Sequence, residues 1–140
     1  MVKVKITVDT SKLDMGNIPK FKEEVLEQTS KRGKQILQVN TPKETGAGAN
    51  AYKIIKSENQ HEIRNDKRYL PWVNDGTGLY GPRHRRITPV NARVLHFHWK
   101  GREWFLKSVK GQKPQRFVEK SMPEIVEAIP EAVVIASKVL

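Results

Sequence analysis

The 140-residue chain contains no cysteine. Disulfide bonds and thiolate metal sites are therefore excluded, which is consistent with a reducing cytoplasm. No apolar run approaches the roughly 18–20 residues that a membrane-spanning helix needs. The first five residues alternate in polarity and lack the apolar centre of a signal peptide. With 37% hydrophobic residues, the chain predicts one domain, 1–140, with one core.

Acidic residues are scarce relative to basic ones, with 15 Asp and Glu against 26 Lys and Arg and a net charge of +11. The imbalance is concentrated in residues 81–120, which hold eleven Lys and Arg against two Glu, a net charge of +9. Residues 121–140 carry a net charge of −2. This distribution favours an acidic partner, either nucleic acid or an acidic protein surface, although a merely solvated basic surface has the same composition.

Hydrophobic periodicity in the first third of the chain predicts a strand followed by a long helix. Residues 2–8 alternate between apolar and polar side chains. Apolar residues then recur with a 3.6-residue period from a cap at Asn17 to about Val39, because Pro42 disfavours helix before it. Gly33 lies inside this helix, where it indicates either a close neighbour or simple tolerance.

The middle of the chain predicts two hairpins. Residues 52–65 alternate around a turn at 58–60, and Tyr69–Val73 predicts a short aromatic strand or a helical turn. Residues 94–109 predict the second hairpin, with Lys100-Gly101 as a two-residue turn. In that register one face is apolar and fit for a core, and it consists of Leu95, Phe97, Trp104 and Leu106.

The last segment predicts a helix that begins at a cap. Phe117 starts one or two helical turns, and Ser121 is the expected N-cap, with Pro123 just after it. Pro130 is expected to kink or split the helix. Together the elements predict an α+β fold, in which a mainly antiparallel sheet packs against a long N-terminal helix and a C-terminal helix. Three segments compose it: the N-terminal strand and helix 1–40, the sheet and basic loop 50–110, and the C-terminal helical segment 116–140.

Two short motifs bracket the middle of the chain. The first reads Thr41-Pro42-Lys43-Glu44-Thr45-Gly46, and the second reads Tyr69-Leu70-Pro71-Trp72-Val73-Asn74-Asp75-Gly76-Thr77. In this order, and with the later Ile87-Thr88-Pro89 and Pro114-x-x-Phe117-Val118, the pattern over Ile18–Val126 resembles a family of small proteins from tailed double-stranded DNA bacteriophages and prophages. These are described as minor tail components or as neck (tail-completion) proteins at the head–tail junction.

The resemblance implies a non-enzymatic structural protein of the virion neck or tail, made in the host cytoplasm and joined to other neck, connector or tail proteins. It implies a ring on assembly and a possible monomer in isolation. No catalytic residue, cofactor or metal ligand is expected. The expected partner contacts are Trp72, Arg83, His84, Arg85 and Arg86. The residues expected to shape the loops that carry them are Thr45, Gly46, Gly76 and Thr77.

The segment 75–89, called the basic loop below, contains four Gly and Pro residues after Gly76 and is expected to be exposed and mobile. Its arginines have two interpretations. They could contact DNA phosphates without sequence preference, or dock on acidic residues of an adjacent subunit. The resemblance favours the second. Asp75 could bind a metal, but a turn-forming Asp is far commoner.

Other chemistry has weaker signals. His96 and His98 share a strand face, but zinc needs three or four ligands and no third is evident from spacing. A toxin-type RNase would need an acid and a base, for which His61 with Glu62, or His84 among arginines, are the candidates without a fixed spacing. A nucleic-acid-binding module could stack bases on the tryptophans, whereas paired aromatics on a hairpin more often form core. Those tryptophans are Trp72, Trp99 and Trp104.

Overall fold

The computed structural model describes residues 1–9, 18–43 and 45–139, and these fold into two compact units. The first unit comprises Met1–Arg68 and Phe117–Leu140, and the second comprises Tyr69–Arg116. Helices and antiparallel sheets both occur, which confirms the predicted α+β class. The single-domain assignment stays a prediction, because two compact units can belong to one domain.

The first unit contains a three-stranded antiparallel sheet in the order β1-β3-β2. Its strands are β1 (Val2–Thr7), β2 (Lys53–Lys56) and β3 (Gln60–Asn65). Val4 and Ile54 both pair with Ile63 at the centre of the sheet. Val2 and Val4 are buried while their neighbours are exposed, so the predicted alternation of the first strand is confirmed.

A long helix, α1 (Ile18–Asn40), covers this sheet. It ends one residue after the predicted end, and the expected cap at Asn17 lies outside the described residues. The Thr41 backbone N–H and hydroxyl both donate to the Leu37 carbonyl, at 2.9 and 2.6 Å. The helix therefore ends at Asn40 and leaves Thr41, the residue that precedes Pro42, outside it, as the proline favours.

The C-terminal helix, α3 below, runs continuously over Phe117–Ala136 and packs on α1. The predicted N-cap at Ser121 is therefore wrong. Ser121 is fully buried inside the helix, where its hydroxyl donates to the Phe117 carbonyl at 2.6 Å. Burial of Phe117 extends the helix one turn earlier, and Pro123 and Pro130 both lie within it. Neither proline can donate a helical hydrogen bond, so packing against α1 offsets that loss.

At Gly33, α1 lies close to side chains of two neighbouring elements. A Cβ atom at Gly33 would lie 2.8 Å from Ile63 Cδ1 and 3.6 Å from Ile125 Cδ1. Ile63 belongs to β3 and Ile125 to α3, and both are buried. Of the two explanations for a glycine in this helix, a close neighbour is therefore the correct one.

The second unit contains a short helix and a separate hairpin. The helix, α2 (Leu70–Asp75), shows that the strand alternative for Tyr69–Val73 was wrong and the helical-turn alternative right. Pro71, in its first turn, favours helix initiation there. The hairpin consists of β4 (Leu95–Trp99) and β5 (Arg102–Leu106).

The register of the second hairpin is the predicted one, with Phe97 opposite Trp104. Lys100 and Gly101 both have positive φ, at 52° and 74°, as a two-residue type I′ turn requires. However, β4 and β5 form their own two-stranded sheet rather than part of the first. The face predicted to be core is only partly buried, since Leu106 is exposed and its other three members are half-buried.

The close approach at Gly33 generates a prediction about the core. We expect Gly33→Ala to lower the free energy of unfolding, because overpacking costs about 1–3 kcal/mol and exceeds the roughly 1 kcal/mol gain in helix propensity. Ile63→Val removes the methyl group that the new Cβ would meet. Urea unfolding of both single variants and the double variant should show the double to be less destabilised than the sum. Additivity within about 0.5 kcal/mol would contradict the contact.

Candidate functional site

The basic loop is held at its start by the segment that follows the second hairpin. The Thr77 N–H donates to the Gln112 carbonyl at 2.9 Å, and the Gln112 N–H donates to Thr77 Oγ1 at the same distance. The Leu79 N–H donates to the Lys110 carbonyl at 2.8 Å. Residues 82–88 are exposed, as predicted. The hydrogen bonds at Thr77 and Leu79 show that the first part of the loop is nevertheless anchored.

Glycines allow the two backbones to come this close. A Cβ atom at Gly78 would lie 2.3 Å from the Lys110 carbonyl oxygen, and one at Gly111 would lie 2.2 Å from that of Thr77. Gly76, with φ +85°, ends α2 and donates its N–H to the Trp72 carbonyl at 2.8 Å. Gly76 and Thr77 thus have backbone roles compatible with the predicted loop-shaping motif.

The arginines of the basic loop differ in their surroundings, although all are exposed. Arg86 Nε donates to Ser108 Oγ at 2.9 Å. Arg83 and Arg85 have no side-chain partner within the described part of the chain. His84, between them, has a positive φ of 50°, and its N–H donates to the Gly81 carbonyl at 3.1 Å. Two guanidinium groups are therefore available to an anionic partner.

Trp72 is the large aromatic side chain that α2 leaves in solvent, with 62% of its surface exposed. Asp75, at the end of the same helix, accepts a hydrogen bond from Asn74 Nδ2 at 3.0 Å and lies 3.7 Å from Arg116 Nη1. The Asp75 carboxylate therefore has a structural role, as expected for a turn-forming residue, whereas Trp72 is accessible to a partner.

The first loop motif lies in the first unit. The Ala47 N–H donates to Thr45 Oγ1 at 3.4 Å, and Gly46 has φ +82°. The Asn50 N–H closes the turn on the Gly46 carbonyl at 3.0 Å. Thr45 and Gly46 thus shape a turn, although no contact surface follows from that geometry.

His61, one of the RNase candidates, is 3% exposed. Its Nδ1 lies 3.1 Å from Ser30 Oγ, and the Ser30 hydroxyl also donates to the Glu27 carbonyl at 3.1 Å. Glu62 points to the other face of β3 and pairs with Arg64 at 3.0 Å. His61 and Glu62 therefore do not form an acid–base pair, and the buried Ser30–His61 pair is inaccessible to a substrate.

Burial lowers the pKa of His61 below its ordinary value, although the nearby Glu27 carboxylate opposes this. Lys56 Nζ lies 2.6 Å from Glu27 Oε2, and this hydrogen bond lowers the pKa of Glu27. The ion pair borders a groove of about 530 Å³ over His61. The imidazole is consequently neutral near pH 7 and acts as a hydrogen-bonding core residue.

The second hairpin brings the side chains of His96, His98 and Glu103 together, although the sequence spacing alone had indicated no third group beside the two histidines. Glu103 Oε1 lies 3.0 Å from His96 Nε2 and 3.2 Å from His98 Nε2. Glu103 lies directly opposite His98 in the hairpin register, whereas its diagonal reach to His96 depends on side-chain rotamers. The three side chains together are a group that could hold a metal ion.

The C-terminal helix α3 leaves several apolar side chains exposed. Val126 is 59% exposed, whereas its neighbour Ile125 is buried. The exposed residues, spaced four, three and four apart, lie on one face about a quarter turn from the buried one. We call this face the α3 stripe, and it consists of Met122, Val126, Ile129 and Val133.

Comparisons with protein-family models, with curated proteins and with solved structures give no match to this chain. Interpretation of its function therefore depends on its own residues and on the motif resemblance.

No helix in the described residues is both long and apolar enough to span a bilayer.

The close contact between the backbones at Gly78 and Lys110 predicts the effect of adding one methyl group there. We expect Gly78→Ala to separate residues 77–79 from 110–112, because its Cβ meets backbone rather than a mobile side chain. The matched control is Gly101→Ala, which also has a positive φ but nothing within 4 Å of its Cβ. Amide hydrogen exchange at Leu79 should accelerate at least about tenfold in Gly78→Ala alone. Equal exchange in the two variants would contradict this description of the loop.

The burial of His61 predicts a pH dependence of stability. The lowered folded-state pKa means that the unfolded chain binds a proton at higher pH than the folded chain. This stability is therefore fully present above the unfolded pKa of about 6.5 and is lost as pH falls from there through the folded-state pKa. Urea unfolding at about pH 7.5 and about pH 5.5 should show a smaller loss in His61→Gln than in the wild type. The control His84→Gln should retain the wild-type loss. An unchanged pH dependence in His61→Gln would refute the assignment.

Proposed function

We propose that this protein is a non-enzymatic structural component of a tailed phage or prophage particle, which acts in head–tail joining or tail completion by assembling into a ring. The order and spacing of the motifs from Thr41 to Thr77 support the assignment to this family. The α3 stripe is the structural observation that supports assembly. The proposed partners are copies of the same chain together with other neck, connector or tail proteins, and the proposed location is the virion.

The α3 stripe supports assembly because its four apolar side chains follow one helix face and remain in contact with water. A helix that buries one face against α1 and exposes a second apolar face has a surface to offer a partner. Burial of such a stripe at an interface releases water from apolar surface, which is the main favourable term in association.

Trp72 and the basic loop provide a second kind of contact. Tryptophan and arginine are among the residue types that contribute most at protein interfaces, and here Trp72, Arg83 and Arg85 are exposed. Arg83 and Arg85 can each form bidentate contacts with carboxylates of an adjoining subunit. In this proposal His84 sets the backbone between them, and Arg86 remains tied to Ser108.

A basic nucleic-acid-binding module is the second candidate, and the available guanidinium groups of Arg83 and Arg85 favour it. Contacts of this type bind phosphates irrespective of sequence and weaken steeply with salt. The two candidates are compatible, since a ring at the neck surrounds the path of the genome. For the RNase alternative, burial of His61 and the pairing of Glu62 with Arg64 remove the first of its two candidate pairs.

The experiment that tests the proposal is co-expression with the products of the neighbouring genes, followed by light scattering and electron microscopy. We expect a ring or co-purification with a connector or tail protein. Val126→Glu should weaken assembly by about 30-fold or more, as at an interface hot spot, because it places a charge in the apolar stripe. The control Val39→Glu, at a 71% exposed site on α1, should assemble normally. Thermal unfolding should be unchanged in both.

Failure of the wild type to associate with itself or with any virion component would refute the proposal. Equal assembly of Val126→Glu and Val39→Glu would remove the α3 stripe from it. Arg83→Ala with Arg85→Ala separates the two uses of the loop: a loss of assembly indicates protein docking. A loss of salt-dependent DNA retention with assembly intact indicates phosphate contact.

A further inference from the structure

We propose that His96, His98 and Glu103 form a binding site for a divalent transition-metal ion such as zinc, on one face of the second hairpin. This proposal does not depend on the phage assignment, because it stands on side-chain geometry alone.

The hairpin register places all three donors on the same face. His96 and His98 are two residues apart on β4, so their side chains point to the same side of the strand. Glu103 on β5 lies directly opposite His98. The positive-φ turn at Lys100 and Gly101 fixes this register, because a shift of one residue would move Glu103 to the other face.

The separations of the donor atoms suit a tetrahedral ion. One nitrogen or oxygen atom from each residue lies within 4.8 Å of the other two. Glu103 Oε1 is 3.0 Å from His96 Nε2 and 3.2 Å from His98 Nε2. Two ligand bonds of about 2.0–2.1 Å at a tetrahedral ion place the donors about 3.3 Å apart. The two Glu103–histidine distances fit this geometry, whereas the two histidine nitrogens, which lie within 4.8 Å of each other, would close around the ion as it binds.

The His96 ring is held in place by a neighbouring aromatic ring. It stacks on Phe105 at a centroid distance of 4.5 Å, with only 4° between the ring planes. The His98 ring lies 5.4 Å from the His96 ring and is tilted by 55°. A stacked imidazole loses less conformational entropy on binding than a freely rotating one, which favours metal capture over a fluctuating ion pair.

The donor set selects the class of metal. Two imidazoles and one carboxylate suit zinc, copper or nickel, whereas magnesium and calcium prefer oxygen donors throughout. All three side chains are exposed, so a solvent molecule can complete a four-coordinate site. The Glu103 carboxylate also supplies negative charge in an otherwise basic segment, which reduces the repulsion that a divalent cation meets there.

The test is calorimetric titration of the chain, freed of any polyhistidine tag, with zinc chloride near neutral pH. We expect one ion per chain, a tetrahedral visible spectrum with cobalt, and shifts of the His96 and His98 ring resonances on zinc addition. Glu103→Gln and His98→Gln should each weaken binding by more than about tenfold. The matched control His84→Gln removes an exposed histidine outside the cluster and should bind as the wild type does.

Absence of saturable zinc binding by the wild type would overturn the proposal. So would wild-type affinity in Glu103→Gln and His98→Gln, or loss of binding in His84→Gln. Glu103 and His98 are both exposed, so their replacement should leave the circular dichroism spectrum and thermal unfolding unchanged. Ring resonances of His96 and His98 that do not respond to zinc would also refute the site, whatever the calorimetry shows.

Discussion

The first unit depends on the absence of a side chain at Gly33. Because no Cβ separates them there, α1 can approach both the sheet and α3, and the Ile63 and Ile125 methyl groups reach the helix backbone. Close packing of this kind accounts for much of the apolar burial in a small fold. A Cβ atom at Gly33 would crowd Ile63 Cδ1 at 2.8 Å, whereas Ile125 Cδ1, at 3.6 Å, would remain at an ordinary contact distance. The conformational cost of glycine in a helix is thereby offset by packing.

Polar groups complete this core through specific hydrogen bonds. The buried Asn65 side chain donates to the Gly48 carbonyl at 2.7 Å, and the Thr41 hydroxyl lies 2.7 Å from that of Tyr52. A buried polar group without a partner costs about 1–3 kcal/mol, so these pairs specify which loop lies against the sheet. The turn that contains Thr45 and Gly46 is connected to the core through Gly48 in this way.

The surfaces that remain after the cores form are the ones that suggest function. In the first unit, α3 packs one face against α1 and leaves the α3 stripe exposed. In the second unit, hydrogen bonds anchor the start of the basic loop, so Arg83 and Arg85 project from a defined base rather than from a free chain. The histidines of the second hairpin differ in chemistry from both surfaces. Their ring nitrogens can offer electron pairs to a metal ion, whereas the arginines of the basic loop donate hydrogen bonds.

Local patterns in the sequence determined the features that depend on neighbouring residues: the α+β class, the extent of α1 before Pro42 and the register of the second hairpin across Lys100-Gly101. Periodicity and turn chemistry act over a few residues, so they can be recognised in one segment alone. Only the tertiary structure decided that Phe117, once buried, starts α3 before Ser121, and that Val126 is exposed while Ile125 is buried. It also decided that Glu103 reaches both histidines. Each of these outcomes depends on groups distant in sequence or on rotamers, and no single segment specifies them.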